Sequence, residues 1–309
     1  MKSVFVINGF LDNGKTQFIN YTLSQPYFRT KGTTLLIVCE EGEEEYDERI
    51  LKASQTVKVT VENPEDVSAK ALLELDKKYK PSRIIIEYNG MWNYKEFRLP
   101  VTMRLEQQIT LIDGTSFELY YTNMRSLLAE MLRRSELIIF NRCDGLNDKL
   151  PTYKRNVKAL NQAADIVFED KNGEINATLD EELPYDVSKD RIDLTDKTYG
   201  IWYLDALDNL DRYMGKEVSF VASVLVPGNF AKGYFVPGRA IMTCCAEDIQ
   251  FLGFACKYKD ADKLTDRSWV KVVCKVGREY FEGYKGEGPM LTAVSVEPCK
   301  APADEVLTF

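Results

Sequence analysis

Residues 4–23 read VFVINGFLDNGKTQFINYTL, and this stretch decides the fold. Val4-Phe5-Val6-Ile7 is an apolar run without helical period that stops before Gly9, as a strand buried on both faces of a parallel sheet would. Helix-forming sequence resumes at about Thr16. Between them, Gly9 to Thr16 spells G-x-x-x-x-G-K-[ST] in a strand-loop-helix context. Glycine turns with an incidental lysine share the spacing but not that context. In such a phosphate loop Gly9 and Gly14 let backbone N–H groups turn toward phosphate oxygens, with Asp12 and Asn13 forming the bend. The helix N-terminus, carrying Gln17 in its first turn, adds partial positive charge. Lys15 reaches the terminal phosphates and the Thr16 hydroxyl is the Mg²⁺ ligand.

Outward from this loop the apolar runs keep a βαβ rhythm: a strand at residues 34–38, a helix at 69–79, a strand at 83–86, a helix at 124–134 and a strand at 137–140. The expected fold is α/β, a doubly wound, mostly parallel P-loop NTPase sheet with ligands at the carboxyl ends of its strands. Past residue 170 the composition turns to Asp, Glu, Asn and Lys. A helix at 203–214 is followed by alternating segments at 217–226, 249–258, 269–276 and 291–297, the signature of a small all-β domain. The boundaries predicted are 1–170, a linker at 171–197, and 198–309.

Composition narrows the function classes. The 309 residues are 45% apolar and 28% charged, with a net charge of −8. That excludes disorder as the main state and gives no broad electrostatic grip on nucleic acid or an anionic bilayer. No apolar run approaches the ~20 residues of a membrane span. The amino terminus is too short and polar for a secretory signal, and seven cysteines, an odd number, fit free thiols in a reducing compartment, so a cytoplasmic protein is expected. Histidine is absent, which removes Ser-His and Cys-His pairs and every His-ligated metal site.

Three further features fall at strand ends. Glu87 closes the strand at 83–86 and Gly90 follows, an arrangement suited to holding Mg²⁺ or orienting water and to donating an N–H to the γ-phosphate; taken alone, Glu87 reads equally as a surface acid closing a strand. Asn141-Arg142-Cys143-Asp144 follows the strand at 137–140 with the N-x-x-D spacing by which many GTPases read guanine; by itself the spacing also fits a plain Asn/Asp turn, and its place after a phosphate loop and a strand-end acid favours GTP. Asp144 accepts from the ring N–H and exocyclic amine, Asn141 supports the loop, and the flat Arg142 guanidinium offers a stacking surface. Residues 40–48 hold seven acids in nine positions, broken by Gly42 and Tyr46; such a run by itself reads as a solvated face, but its place after the second strand is where a first switch segment is expected.

These motifs together resemble the CobW-like GTPases related to the HypB and UreG metal-insertion proteins. Residues 4–23 look like that family's strand, phosphate loop and first helix. EEGEEEYDERIL at 40–51 is similar to its N-E-x-G-E-x-G-x-D segment at Glu40, Gly42, Glu43 and Asp47, and Glu87 with Gly90 resembles its E-x-x-G. The resemblance implies GTP binding, slow Mg²⁺-dependent hydrolysis and a metal-delivery role toward a metalloprotein client. Lys15, Thr16, Glu40 and Glu87 would be the catalytic group, and Thr16, Asp47 and Glu87 the Mg²⁺ side. Cys39 stands in place of the family's Asn, and the family's C-x-C-C metal motif is missing.

The tail carries a second resemblance. YFVPGRAIMTCCAEDIQFLGFACKY at 234–258, with Tyr213-Met214-Gly215-Lys216 before it and VEPCKAP at 296–302 after it, looks like the Cys-Cys domain of the YcgQ-like bacterial proteins paired with putative permeases. This implies an OB-like barrel and a link to metal homeostasis. Cys244 and Cys245, with Asp248, are the candidate ligands for Zn²⁺ or another transition metal, and a homodimer would supply further sulfurs. A packing pair or a redox pair is the alternative, as is a scaffold role toward a membrane permease. Cys256 and Cys274 read as core.

Overall fold

The opening apolar run is the central strand of a sheet. In the computed structural model, which describes residues 1–175, 183–228, 230, 232–243 and 248–308, β1 (Lys2–Asn8) lies between β4 (Arg83–Glu87) and β5 (Met103–Asp113), parallel to both. Beyond β4 come β2 (Thr34–Val38) and β3 (Thr56–Thr60); beyond β5 come β6 (Leu137–Asn141), β7 (Asp165–Asp170) and β8 (Gly173–Glu174). Every pairing is parallel except β7 with β8. The connections are α1 (Lys15–Ser24), α2 (Glu48–Ala53), α3 (Ala69–Tyr79), α4 (Phe117–Asn123), α5 (Arg125–Leu132) and α6 (Leu150–Leu160). The apolar run is uninterrupted because both faces are covered. Val4 and Val6 join a core with Leu72 and Tyr94, while Ile7 joins Ile19, Leu23 and Leu51 on the other side. Each such side chain taken out of water contributes about 1.5–3 kcal/mol.

Two elements differ from the sequence expectation for identifiable reasons. β5, eleven residues long and adjacent to β1, is hidden in the sequence by Arg104, Glu106, Gln107 and Gln108. Gln108 is fully buried, accepting from the Tyr94 hydroxyl at 2.8 Å and donating to the Met131 carbonyl at 2.8 Å, so a polar residue sits where the pattern suggests surface. The helix expected at 203–214 instead begins earlier, as α7 (Asp196–Asp208), because Thr195 and Thr198 form a capping box ahead of it.

The chain divides into two units, Met1–Leu179 and Asp180–Phe309. In the second, β9 (Arg191–Asp193), β10 (Glu217–Leu225), β11 (Tyr234–Met242), β12 (Ile249–Gly253), β13 (Cys256–Lys257), β14 (Trp269–Phe281), β15 (Gly286–Pro298) and β16 (Val306–Thr308) form a sheet in the order β12-β11-β13-β15-β14-β10-β9. β11 also pairs with β10 and with β16. Its core gathers Trp202, Tyr213, Phe220, Phe235, Cys256 and Cys274. The conspicuous residues of the tail brace this core. Arg239, 1% exposed, pairs with Asp196 and donates to the Asp304 carbonyl at 2.6 Å. The Tyr213 hydroxyl donates to Asp205 at 2.5 Å. Among the described residues, no helix is long and apolar enough to cross a membrane.

Candidate phosphate-binding site

The loop between β1 and α1 takes the backbone shape that its glycines permit. Gly9 has φ 144° and Gly14 φ 84°, with Asp12 also left-handed at φ 59°. A Cβ on Gly9 would meet the Leu111 carbonyl oxygen at 2.5 Å, and one on Gly14 the Asn141 amide at 2.8 Å. Gly90 presses on the loop from β4, since a Cβ there would lie 2.5 Å from the Gly9 carbonyl oxygen. The contact is with backbone, so Gly90→Ala forces the two loops apart. The expected cost is about 1–3 kcal/mol, seen as a lower Tm together with weaker nucleotide binding.

Lys15 is 3% exposed. Its ammonium donates to the Gly9 carbonyl at 3.0 Å, the Phe10 carbonyl at 2.8 Å and Glu40 at 2.5 Å, which uses all three of its N–H groups. The Thr16 hydroxyl donates to Glu87 Oε1 at 3.0 Å, and the Tyr46 hydroxyl donates to Glu87 Oε2. Burial pushes the Glu87 carboxyl above the usual carboxylate range, opposed by Tyr46, Lys15 and Thr16, which favour the anion. Burial likewise pushes the Cys39 thiol up, so it is a neutral packing group.

The acidic segment lies along the loop and α1. Gln17 donates to Glu44 at 2.8 Å, the Glu43 N–H to Asp12 at 3.3 Å, Asn20 to the Glu45 carbonyl at 3.2 Å, and the Asp47 N–H to Asn20 at 3.3 Å. A cavity of about 80 Å³ remains, lined by Lys15, Thr16, Glu40, Gly42, Glu87 and Arg142 among others. Small-molecule sites span about 300–1,000 Å³, so the acidic segment, which lines this space with Glu40, Gly42, Glu43 and Glu44, narrows it beside Lys15. Asp47 is not among the lining residues. It caps α2, its carboxylate accepting from the Arg49 N–H at 2.8 Å, and the Arg49 guanidinium holds it below the usual carboxylate range.

The Asn/Asp turn is joined to the phosphate loop. Asn141 donates to the Asn13 carbonyl at 2.8 Å, and its Oδ1 is buried without a hydrogen-bond partner. Arg142, left-handed at φ 52°, donates to the Asp12 carbonyl at 3.0 Å and pairs with Asp113 at 2.5 Å. Asp113 closes β5 and receives Thr115 as well; sequence reading missed it together with its strand. Asp144 is exposed on the turn that follows. Lys15, Thr16, Glu40, Glu87, Gly90, Asn141 and Arg142 are therefore gathered around one loop. Cys244 and Cys245 lie outside the described residues. Asp248, the third candidate ligand, accepts from the Thr243 hydroxyl. Among the described residues, no group of three or more acidic or cysteine side chains is placed to hold a metal ion.

The CobW/HypB/UreG nucleotide-binding domain matches residues 3–168, and the DUF1980 C-terminal domain matches residues 170–306. Solved structures with similarity include the hydrogenase maturation factor HypB from Archaeoglobus fulgidus, at 17% identity and TM-score 0.44, covering 56% of this chain and 84% of that one. The Zn(II)-bound YjiA GTPase from E. coli has 19% identity and TM-score 0.40, with coverages of 58% and 60%. HypB from Helicobacter pylori in complex with nickel has 14% identity and TM-score 0.36, with coverages of 55% and 80%. No curated protein matches the chain.

Proposed function

Because the chain belongs to the CobW/HypB/UreG nucleotide-binding family, we propose that it is a cytoplasmic Mg²⁺-dependent GTPase whose nucleotide state governs its second domain in metal trafficking or metallocofactor assembly. The observation that carries this reading is the 2.8 Å hydrogen bond from Asn141 to the Asn13 carbonyl. It ties the element suited to guanine to the element suited to phosphate, so one ligand bearing both groups is recognised by one rigid unit.

Thr16 and Glu87 fit Mg²⁺, being two hard oxygen donors 3.0 Å apart beside the cavity. When bound, the ion would neutralise charge on the β- and γ-phosphates. The chain's own residues do the rest. Lys15 orients the terminal phosphate once Glu40 releases it, the loop amides fix the phosphate chain, Gly90 brings an N–H to the loop, and Asp144 takes the guanine edge. Glu40 holds Lys15, so a phosphate must displace that carboxylate before Lys15 can orient it. The second reading is a nucleotide-gated scaffold or regulator of a membrane permease. Phosphate release measured with GTP and Mg²⁺ separates the two. Steady turnover above background supports the GTPase, and binding without turnover, even with a partner present, supports the scaffold.

For the second domain, the ring of pairings β10-β14-β15-β13-β11, returning to β10, supports reading it as an OB-like barrel. Cys244 and Cys245 are proposed as its site for Zn²⁺ or another transition metal, in a homodimer or toward a metalloprotein client. Protein purified anaerobically should carry bound metal that Cys244→Ser and Cys245→Ser remove. Equal metal content in wild type and variants would eliminate this site.

A further inference from the structure

Tyr46 is the one aromatic residue within the acidic run at 40–48. It falls on an unspecified position of the N-E-x-G-E-x-G-x-D pattern, so no motif draws attention to it. Its ring is 8% exposed and packs in the core with Val38, Leu51 and Ile85. Its hydroxyl donates to Glu87 Oε2, while Thr16 donates to Oε1. Glu87 is 2% exposed. A buried carboxylate needs donors on both oxygens, and here one donor comes from α1 and the other from the segment between β2 and α2.

We propose that Tyr46 is a positioning residue that holds Glu87 in place for Mg²⁺ and thereby couples the metal to the acidic segment. The reading rests on the nucleotide site proposed above. The segment is fastened at its two ends to groups with different ligands: Glu40 to Lys15, the phosphate partner, and Tyr46 to Glu87, the metal partner. Phosphate arriving at Lys15 displaces Glu40 and frees the first end. The second end is held by the Tyr46 phenol on Glu87 together with the Asn20 contacts to Glu45 and Asp47, and the phenol is the tie that reaches the carboxylate of the metal site. Thr16 alone would leave Glu87 Oε2 without a donor and free to rotate from the orientation the metal requires. Carboxylates and a lysine complete the surroundings, with Glu40 and Lys15 both acting on Glu87 and Cys39 nearby.

Tyr46→Phe deletes the hydroxyl and keeps the ring, so the core packing survives. Three measurements on the full chain test the idea. Binding of a fluorescent, non-hydrolysable GTP analogue in EDTA should be the same in wild type and variant. Mg²⁺ titrated into the nucleotide-loaded proteins should half-saturate at about tenfold higher concentration in the variant, as expected for a lost hydrogen bond to a charged group. A glutamate-specific protease should cut within residues 40–48 of the variant even with analogue and Mg²⁺ present, while these ligands protect wild type. Tyr46→Ala, which also removes the ring, should lower Tm further than Tyr46→Phe, which leaves the packing intact and only Glu87 Oε2 without its donor. An unchanged Mg²⁺ midpoint with unchanged protection in Tyr46→Phe overturns the role of Tyr46 and leaves the nucleotide site standing. Failure of the wild-type chain to bind the analogue at all overturns both.

Discussion

Lys15→Ala is expected to abolish GTP binding at micromolar concentration. The ammonium is the cation that its neighbours turn inward, 3% exposed and fixed by two loop carbonyls and Glu40. On a chain of net charge −8, no general field compensates its loss. Removing one member of a buried, hydrogen-bonded charge pair costs ~2–5 kcal/mol, roughly thirty- to several-thousand-fold in affinity. The substitution also leaves the Gly9 and Phe10 carbonyls and Glu40 without their donor, so the loop becomes more repulsive to phosphate. Lys15→Met, which keeps the stem, should behave the same and separates charge from packing. Equilibrium titration is the check, with Tm recorded to show that the fold persists. Micromolar affinity retained in both variants would mean that phosphate is not held here.

Asp144→Asn should change which base is read. A carboxylate offers acceptors to both the ring N–H and the exocyclic amine of guanine, whereas a carboxamide replaces one acceptor with a donor that faces the amine. Hydrogen bonds to a charged group contribute ~1.5–3 kcal/mol each, so losing one should lower GTP affinity about ten- to a hundredfold. Xanthosine triphosphate, with a carbonyl in place of the amine, should bind the variant better than it binds wild type. Asp144 is exposed, so stability should be unaffected, and competition between GTP, ATP and xanthosine triphosphate measures the outcome. An unchanged preference in the variant would remove Asp144 from base recognition.

The parts of this site that the sequence revealed are those where backbone geometry restricts residue choice. Gly9 and Gly14 sit at left-handed or crowded positions, and strands buried on both faces announce themselves as apolar runs. The parts that stayed hidden depend on side chains meeting across distant segments. Tyr46 and Glu87 are 41 positions apart, Arg142 and Asp113 are 29 apart, and neither pairing leaves a periodic trace. β5 was concealed because its buried polar residue, Gln108, finds partners from Tyr94 and Met131. Asp47 shows the reverse: the family resemblance implied the metal side, while its position before α2 makes it a helix cap.

The most direct measurement of the central claim is a titration of the wild-type chain with fluorescent GTP and ATP analogues in the presence of Mg²⁺. Saturable one-to-one binding of the GTP analogue at micromolar concentration, displaced by unlabelled GTP and far less by ATP, is the predicted result. No saturable binding of either nucleotide, or equal binding of both, would contradict the account.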